Sequence, residues 1–255
     1  MIYVPHDVSL KTPYVQHPPL GWVSVMTSMQ PVVWLRMNTA SGSENNLGNG
    51  GGTVQYGAGV TRNASGGPVA GGGYATTTTT TSTNMYIRSQ VSSMWTTFTV
   101  GAFVRLSAAG QTVFSKREYF ASATNAFPYA LTWDQPNARV QVNLDSGNDF
   151  SADQTISTPN NSIPTSEWIM LTNVVRPSGS PVEVFVNSTL AHSTSATTTV
   201  ATGSTIPQWA CAQSNEYSGG AGGSECPGDW AEFFVFNRAL SATEIANLYG
   251  NRLSP

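Results

Sequence analysis

Cleavage of a glycosidic bond on a β-sheet needs two carboxylates that flank one substrate bond, commonly projected from one strand face at i, i+2 or i+4. The nearest spacings in this sequence are Asp145 with Asp149 and Asp149 with Asp153. Ser146-Gly147-Asn148 lies between the first two and is turn chemistry, so these acids are expected in a solvated loop. His6, His17 and His192 have no partners at zinc-site spacing, and Cys211 and Cys226 form a lone pair rather than a C-x-x-C motif. No Gly-x-Ser-x-Gly elbow occurs, and no glycine tract is followed by Lys-Ser/Thr, which excludes a phosphate loop. A Ser-His-Asp triad, whose members can lie far apart in the chain, stays open on sequence alone. The expectation is a protein that is not an enzyme.

Binding chemistry is better represented. Aromatic side chains present an apolar body with a polar handle, which suits them to stack on the apolar side of a pyranose ring. Trp168 and Trp230 open apolar runs and are expected in the core, whereas Trp209 and Tyr217 flank or lie in a Gly-rich loop and are the better glycan-binding candidates, with Trp133 a third. Cys211 and Cys226 bracket that loop; a disulfide closing about 16 residues would contribute roughly 3 kcal/mol in the chain-entropy model. Two free thiols are the alternative. The Thr run at 76–81 is extended by steric preference, with hydroxyls that could line a sugar surface.

These residues must be carried by strands. Only 10% of the 255 residues are charged, against about a quarter in a typical domain, so the exposed faces of many amphipathic helices have no material. Phe98, Val100, Ala102, Val104 and Leu106 alternate with Thr99, Gly101 and Arg105, the period of a half-buried strand. Val140, Val142 and Leu144 repeat that pattern, as do Val182, Val184 and Val186. The runs at 31–37, 168–175 and 230–236 are apolar on both faces and read as central strands. Glycine and proline turns join them, which makes an antiparallel sandwich or jelly roll. One segment differs: Ser241 with Glu244 is a capping box, Ile245, Leu248 and Tyr249 share a helical face, and Gly250 is a stop, so one short C-terminal helix is expected.

Residues 1–28 carry Pro5, Pro13, Pro18 and Pro19 and read as an extended segment, either a disordered leader or an arm lying on a neighbouring subunit. Tyr3, Val4, Tyr14 and Trp22 are the docking candidates, and the domain proper is expected over 29–255. A net charge of −3, with eleven scattered cations, argues against nucleic acid as a partner. No apolar run approaches the roughly 18 residues that span a bilayer. The first residues lack the basic and apolar regions of a secretory signal, yet the Thr/Ser/Gly-rich composition suits an extracellular surface. A virus-particle component made in the cytoplasm and released by lysis fits both.

Two motifs carry a family likeness. Pro31-Val32-Val33-Trp34-Leu35-Arg36-Met37-Asn38-Thr39-Ala40-Ser41-Gly42, followed by Leu47-Gly48-Asn49-Gly50, resembles the opening of laminin G-like, concanavalin A-like jelly rolls. The run at 228–245, which includes Asn237-Arg238-Ala239-Leu240-Ser241 and Glu244-Ile245, looks like that family's last strand and helix cap. The likeness covers residues 29–253 and implies a two-sheet antiparallel jelly-roll sandwich. Many members bind calcium through an Asp that is replaced here by Ala231, with Glu232 retained; Glu44, Asn45 and Asp229 are the weak substitutes, and no cofactor is expected. The opening motif is similar to minor tail proteins of bacteriophages. That resemblance implies a non-enzymatic virion component that docks through its arm on other virion proteins, as a homo-oligomer, and meets cell-surface glycans. A capsid-decorating protein of the same fold is the alternative, followed by a polysaccharide-degrading enzyme.

Overall fold

The structure, a computed structural model, describes residues 21–57, 59–63, 65–77, 87–91, 93–106, 112–116, 128–146, 152–202, 209–210 and 226–254, with the backbone alone at 88, 116, 209 and 210. Tyr3, Val4, Tyr14, Asp149, Cys211 and Tyr217 lie outside the described residues.

Two antiparallel sheets face each other, as the strand periodicity requires. The first is built from β1 (Val33–Leu35), β4 (Val60–Asn63), β5 (Tyr74–Thr77), β7 (Phe98–Leu106), β12 (Ile169–Val175), β13 (Pro181–Val186), β14 (Thr189–Ser195) and β16 (Gly228–Phe236). Its order is β14-β13-β12-β7-β16-β5-β4, with β1 also paired to β16. The second holds β2 (Glu44–Asn45), β3 (Thr53–Tyr56), β6 (Ile87–Arg88), β8 (Thr112–Lys116), β9 (Tyr129–Asp134), β10 (Arg139–Leu144), β11 (Gln154–Ser157) and β15 (Trp209–Ala210). Its order is β11-β10-β9-β8-β15-β6-β3-β2.

The inter-sheet core takes the side chains that alternation assigned inward: Val100, Ala102, Val104 and Leu106 of β7 meet Val140, Val142 and Leu144 of β10, with Trp230 and Phe233 of β16. A second apolar layer covers the outer face of the first sheet. There Phe103, Met170, Val174, Phe234 and Phe236 pack under two helices, α1 (Trp22–Met29) and α2 (Ala242–Gly250).

The C-terminal helix α2 starts at the expected capping box: Ser241 Oγ accepts from Glu244 N at 3.3 Å, and Glu244 Oε2 accepts from Ser241 N at 2.8 Å. Ile245 and Leu248 face the sheet and are buried. Ser241→Ala should lower stability by about 1 kcal/mol, the usual cost of a lost cap; urea unfolding with an unchanged midpoint would show the cap to be dispensable.

Helix α1 corrects the expected arm. Residues 22–29 are helical, Trp22 is 1% exposed, and the described packing begins at residue 21, eight residues before the expected boundary. Trp22, Val25, Met26 and Met29 stand at i, i+3, i+4 and i+7, and all four pack on the outer apolar layer. Trp22 therefore anchors its own domain and is not a docking residue. The prolines that suggested an extended arm end at Pro19, and Val23, Ser24 and Thr27 are weak helix formers, so tertiary packing rather than propensity holds this helix. Among the described residues no helix is long and apolar enough to cross a membrane.

Candidate functional site

Cover by α1 and α2 ends partway along the outer face of the first sheet, and the side chains change character there in one register step. In the covered row Ala231 of β16 is paired with Phe103 of β7. Two residues along each strand, Asp229 is paired with Arg105 on one side and with Thr76 on the other, and Thr76 is paired with Thr61 of β4. Inward neighbours of this polar row, Val104, Trp230 and Ala75, are still completely buried, so the row lies over the core and not beyond it.

The polar row is ordered by its own bonds. Asp229 Oδ1 accepts from Thr76 Oγ1 at 2.6 Å, and Oδ2 accepts from Arg105 Nε at 2.7 Å. The guanidinium, whose side chain is 40% exposed, stacks over the half-buried Trp168 ring at 5.2 Å from its centroid. Tyr74 meets Trp168 edge to face at 5.9 Å. The result is a planar donor, a planar acceptor and a hydroxyl beside two half-buried aromatic rings, with the guanidinium more exposed than the carboxylate. An acceptor and a donor side by side match adjacent hydroxyls of a sugar ring, and the aromatic rings match its C–H face.

Under α1 lies a buried charge. β16 carries a bulge between Ala231 and Phe234 in its pairing with β7, and Glu232 at that bulge has φ +53°. Trp230 faces the inter-sheet core, and simple alternation would send residue 232 there too; the extra residue instead turns its carboxylate to the helix-covered side. Trp22 Nε1 and Trp34 Nε1 donate to its Oε2 at 2.9 and 2.6 Å, and Arg36 Nε donates to Oε1 at 2.9 Å. Complete burial raises the Glu232 carboxyl above the ordinary carboxylate value, with Arg36 and the indole donors pulling the other way.

Other sequence candidates fall elsewhere. Trp133 is 3% exposed in the inter-sheet core, so its ring offers no glycan platform: the alternation of β9 points it inward. The Trp209 backbone pairs β15 with β6 and β8. Cys226 is buried, and burial pushes its thiol pKa up; Cys211, its expected disulfide partner, lies outside the described residues. Asp145 is buried, and Asp153 is exposed and accepts from Ser146; Asp149, common to both expected pairs, lies outside the described residues.

The calcium candidates do not fit a metal ion. Glu44 is buried and accepts from Met37 N, Thr39 Oγ1 and Tyr56 Oη, Asn45 is exposed on β2, and an arginine already occupies Asp229. No group of three or more His, Cys, Asp or Glu that could hold a metal forms among the described residues.

Trp168, expected in the core, is half-buried: it packs against the outer apolar layer immediately before β12 and leaves part of its ring beside Arg105.

Comparison with known proteins agrees with this architecture. Residues 72–246 match the concanavalin A-like lectin/glucanases superfamily. No curated protein matches the chain in sequence. Among solved structures, the binding domain of botulinum neurotoxin serotype G is similar at TM-score 0.61 and 16% identity, over 86% of this chain and 50% of that one. The binding domain of Paraclostridial Mosquitocidal Protein 1 is similar at TM-score 0.61 and 13% identity, over 86% and 52%. Domain 4 of AbnA, a GH43 extracellular arabinanase from Geobacillus stearothermophilus solved with arabinotriose, has TM-score 0.54 and 17% identity, over 86% and 98%. The chain spans about half the length of the two toxin domains, and at these identities the likeness shows the fold alone.

Proposed function

This chain belongs to the concanavalin A-like lectin/glucanases superfamily, a carbohydrate-binding type of jelly roll, and we propose that it is a non-catalytic glycan-binding domain displayed on a bacteriophage virion, in a minor tail or tail-tip component. The observation that carries the binding reading is the open row of Thr76, Asp229, Arg105 and Trp168, with Tyr74 beside it. Support comes from the arabinanase domain of nearly the same length, solved with a trisaccharide, and from the toxin neighbours, which are binding domains. The opening motif at 31–42 supports the virion placement. A non-catalytic role is favoured by the scarcity of carboxylates in the sequence and by the toxin neighbours, which are binding domains.

Binding of the protein to a glycan array and to isolated bacterial envelope tests the reading. Arg105→Ala and Trp168→Ala should each weaken that binding about tenfold, the effect of losing a charge-assisted bond or a stacking surface. Wild-type protein that binds no glycan, or variants that bind equally well, would sink it. Co-purification with tail rather than capsid tests the placement.

A further inference from the structure

A concave surface lies beside the C-terminal end of α1. A groove of 440 Å³ is lined by Thr27 and Gln30 at the end of α1, Pro31 just before β1, Trp34 within β1, and Leu47 and Asn49 from the loop after β2. That volume lies within the range of small-ligand sites. The chemistry is divided evenly: Pro31, Trp34 and the 54% exposed Leu47 are apolar, while Thr27, Gln30 and Asn49 carry neutral hydrogen-bonding groups. None of those three polar side chains bonds to a described residue of the protein, in contrast to the self-satisfied sheet row. Among the described residues the lining holds no ionisable group.

Its walls are fixed before any ligand arrives. Asn46, buried beneath the loop, accepts from Trp34 N at 2.7 Å and Gly48 N at 3.0 Å and donates to Val32 O and Gly51 O. Asn49 N and Gly50 N donate to Pro31 O and Val32 O. Gly48 approaches so closely that a Cβ would lie 2.5 Å from Val32 O, so no side chain fits there. Gln30, at φ +55°, ends α1 in the left-handed conformation, and its N–H bonds to Met26 O. The remaining freedom, movement of α1 against β1, is removed by Glu232, which receives one indole N–H from each. A fixed backbone that presents unpaired hydrogen-bonding side chains beside an apolar floor suits a ligand with hydroxyls on one side and C–H groups on the other.

We propose that this groove is a second ligand site, separate from the sheet row, and that it holds the end of a neutral saccharide. For its ligand class the inference rests on the glycan-binding reading; its location rests on the groove alone. An anionic sugar would leave its charge without a counter-ion in this lining, whereas a neutral one places hydroxyls on Asn49, Gln30 and Thr27 and its C–H face on Leu47, Pro31 and the edge of Trp34.

Saturation-transfer NMR of the full chain with maltose, lactose and cellobiose as neutral probes, and glucuronic acid as the anionic one, tests the site. In the Arg105→Ala background, which disables the sheet row, at least one neutral disaccharide should still receive saturation, with affinity about fivefold lower when Asn49→Ala or Gln30→Ala is added, the effect of one lost hydrogen bond. Both variant positions are exposed, so unchanged melting checks their folding. In that background, silence from all three neutral probes, a signal that survives addition of Asn49→Ala and Gln30→Ala together, or equal binding of glucuronic acid overturns the proposal. A signal lost in Arg105→Ala and kept in the Asn49→Ala/Gln30→Ala double variant places the sugar on the sheet row, which overturns the groove and upholds the earlier reading.

Discussion

Glu232→Ala should reduce the unfolding free energy by about 3–5 kcal/mol, the cost of removing one partner from a buried ion pair. The substitution strands three donors at once: the indole N–H groups of Trp22 and Trp34 and the Arg36 guanidinium, whose side chain is only 12% exposed. It also takes away the group that ties α1 to β1, so hydrogen exchange should accelerate in residues 22–29 before the sandwich opens. Exchange that is unchanged there, with the urea midpoint preserved, would show that the carboxylate anchors nothing.

The isosteric Glu232→Gln separates charge from shape. Burial raises the folded carboxyl above its unfolded value near 4.3, so the folded state binds the proton more tightly. The stability this contributes is fully present below the unfolded value and is lost as pH rises through the raised folded value. Gln does not titrate. The stability of the wild type minus that of Glu232→Gln should therefore decline as pH increases above 4.3, read from urea midpoints at each pH. A difference that grows with pH would mean that Arg36 and the indoles outweigh desolvation.

Trp230→Ala should cost a similar amount, about 3–5 kcal/mol, through the lost transfer energy of a large side chain and the cavity left behind. Trp230 is completely buried in the inter-sheet core, and its Nε1 donates to Thr77 Oγ1 at 3.1 Å. The same hydroxyl accepts from Gly228 N at 3.0 Å, so the indole also helps to seat the start of β16 on β5. Asp229 and Ala231, its chain neighbours, take the opposite face. A strand loosened at Trp230 no longer holds Asp229 against Arg105 and Thr76, so near-UV circular dichroism and glycan binding should weaken together with stability. A loss below about 1 kcal/mol would indicate that Phe233 and its neighbours close the space.

How much of this was legible beforehand depends on the range of the interaction concerned. The alternation at 139–144 and the capping box at Ser241 and Glu244 are local, since neighbours in the chain fix which side chains share a face, and the structure keeps both. The strand expected at 98–106 forms too, but it is buried on both faces and not on one, because a second apolar layer covers its outer side. Together with the scarcity of charge, they determined an antiparallel sandwich closed by a short helix, with few groups available for catalysis. The sequence could not show what lies against each face. Trp133 and Trp168 both occupy strand-like contexts, yet one is sealed between the sheets and the other lies at the edge of the helix cover, because burial is set by elements far away in the chain. Helix α1 has the spacing of a helix but not the propensity, and forms where Phe103 and Phe234 give Trp22 a surface. The bulge at Glu232 is the sharpest case. One extra residue shifts the phase of β16, and only the arrival of Trp22, Trp34 and Arg36 from the other end of the chain makes a buried carboxylate at that position stable.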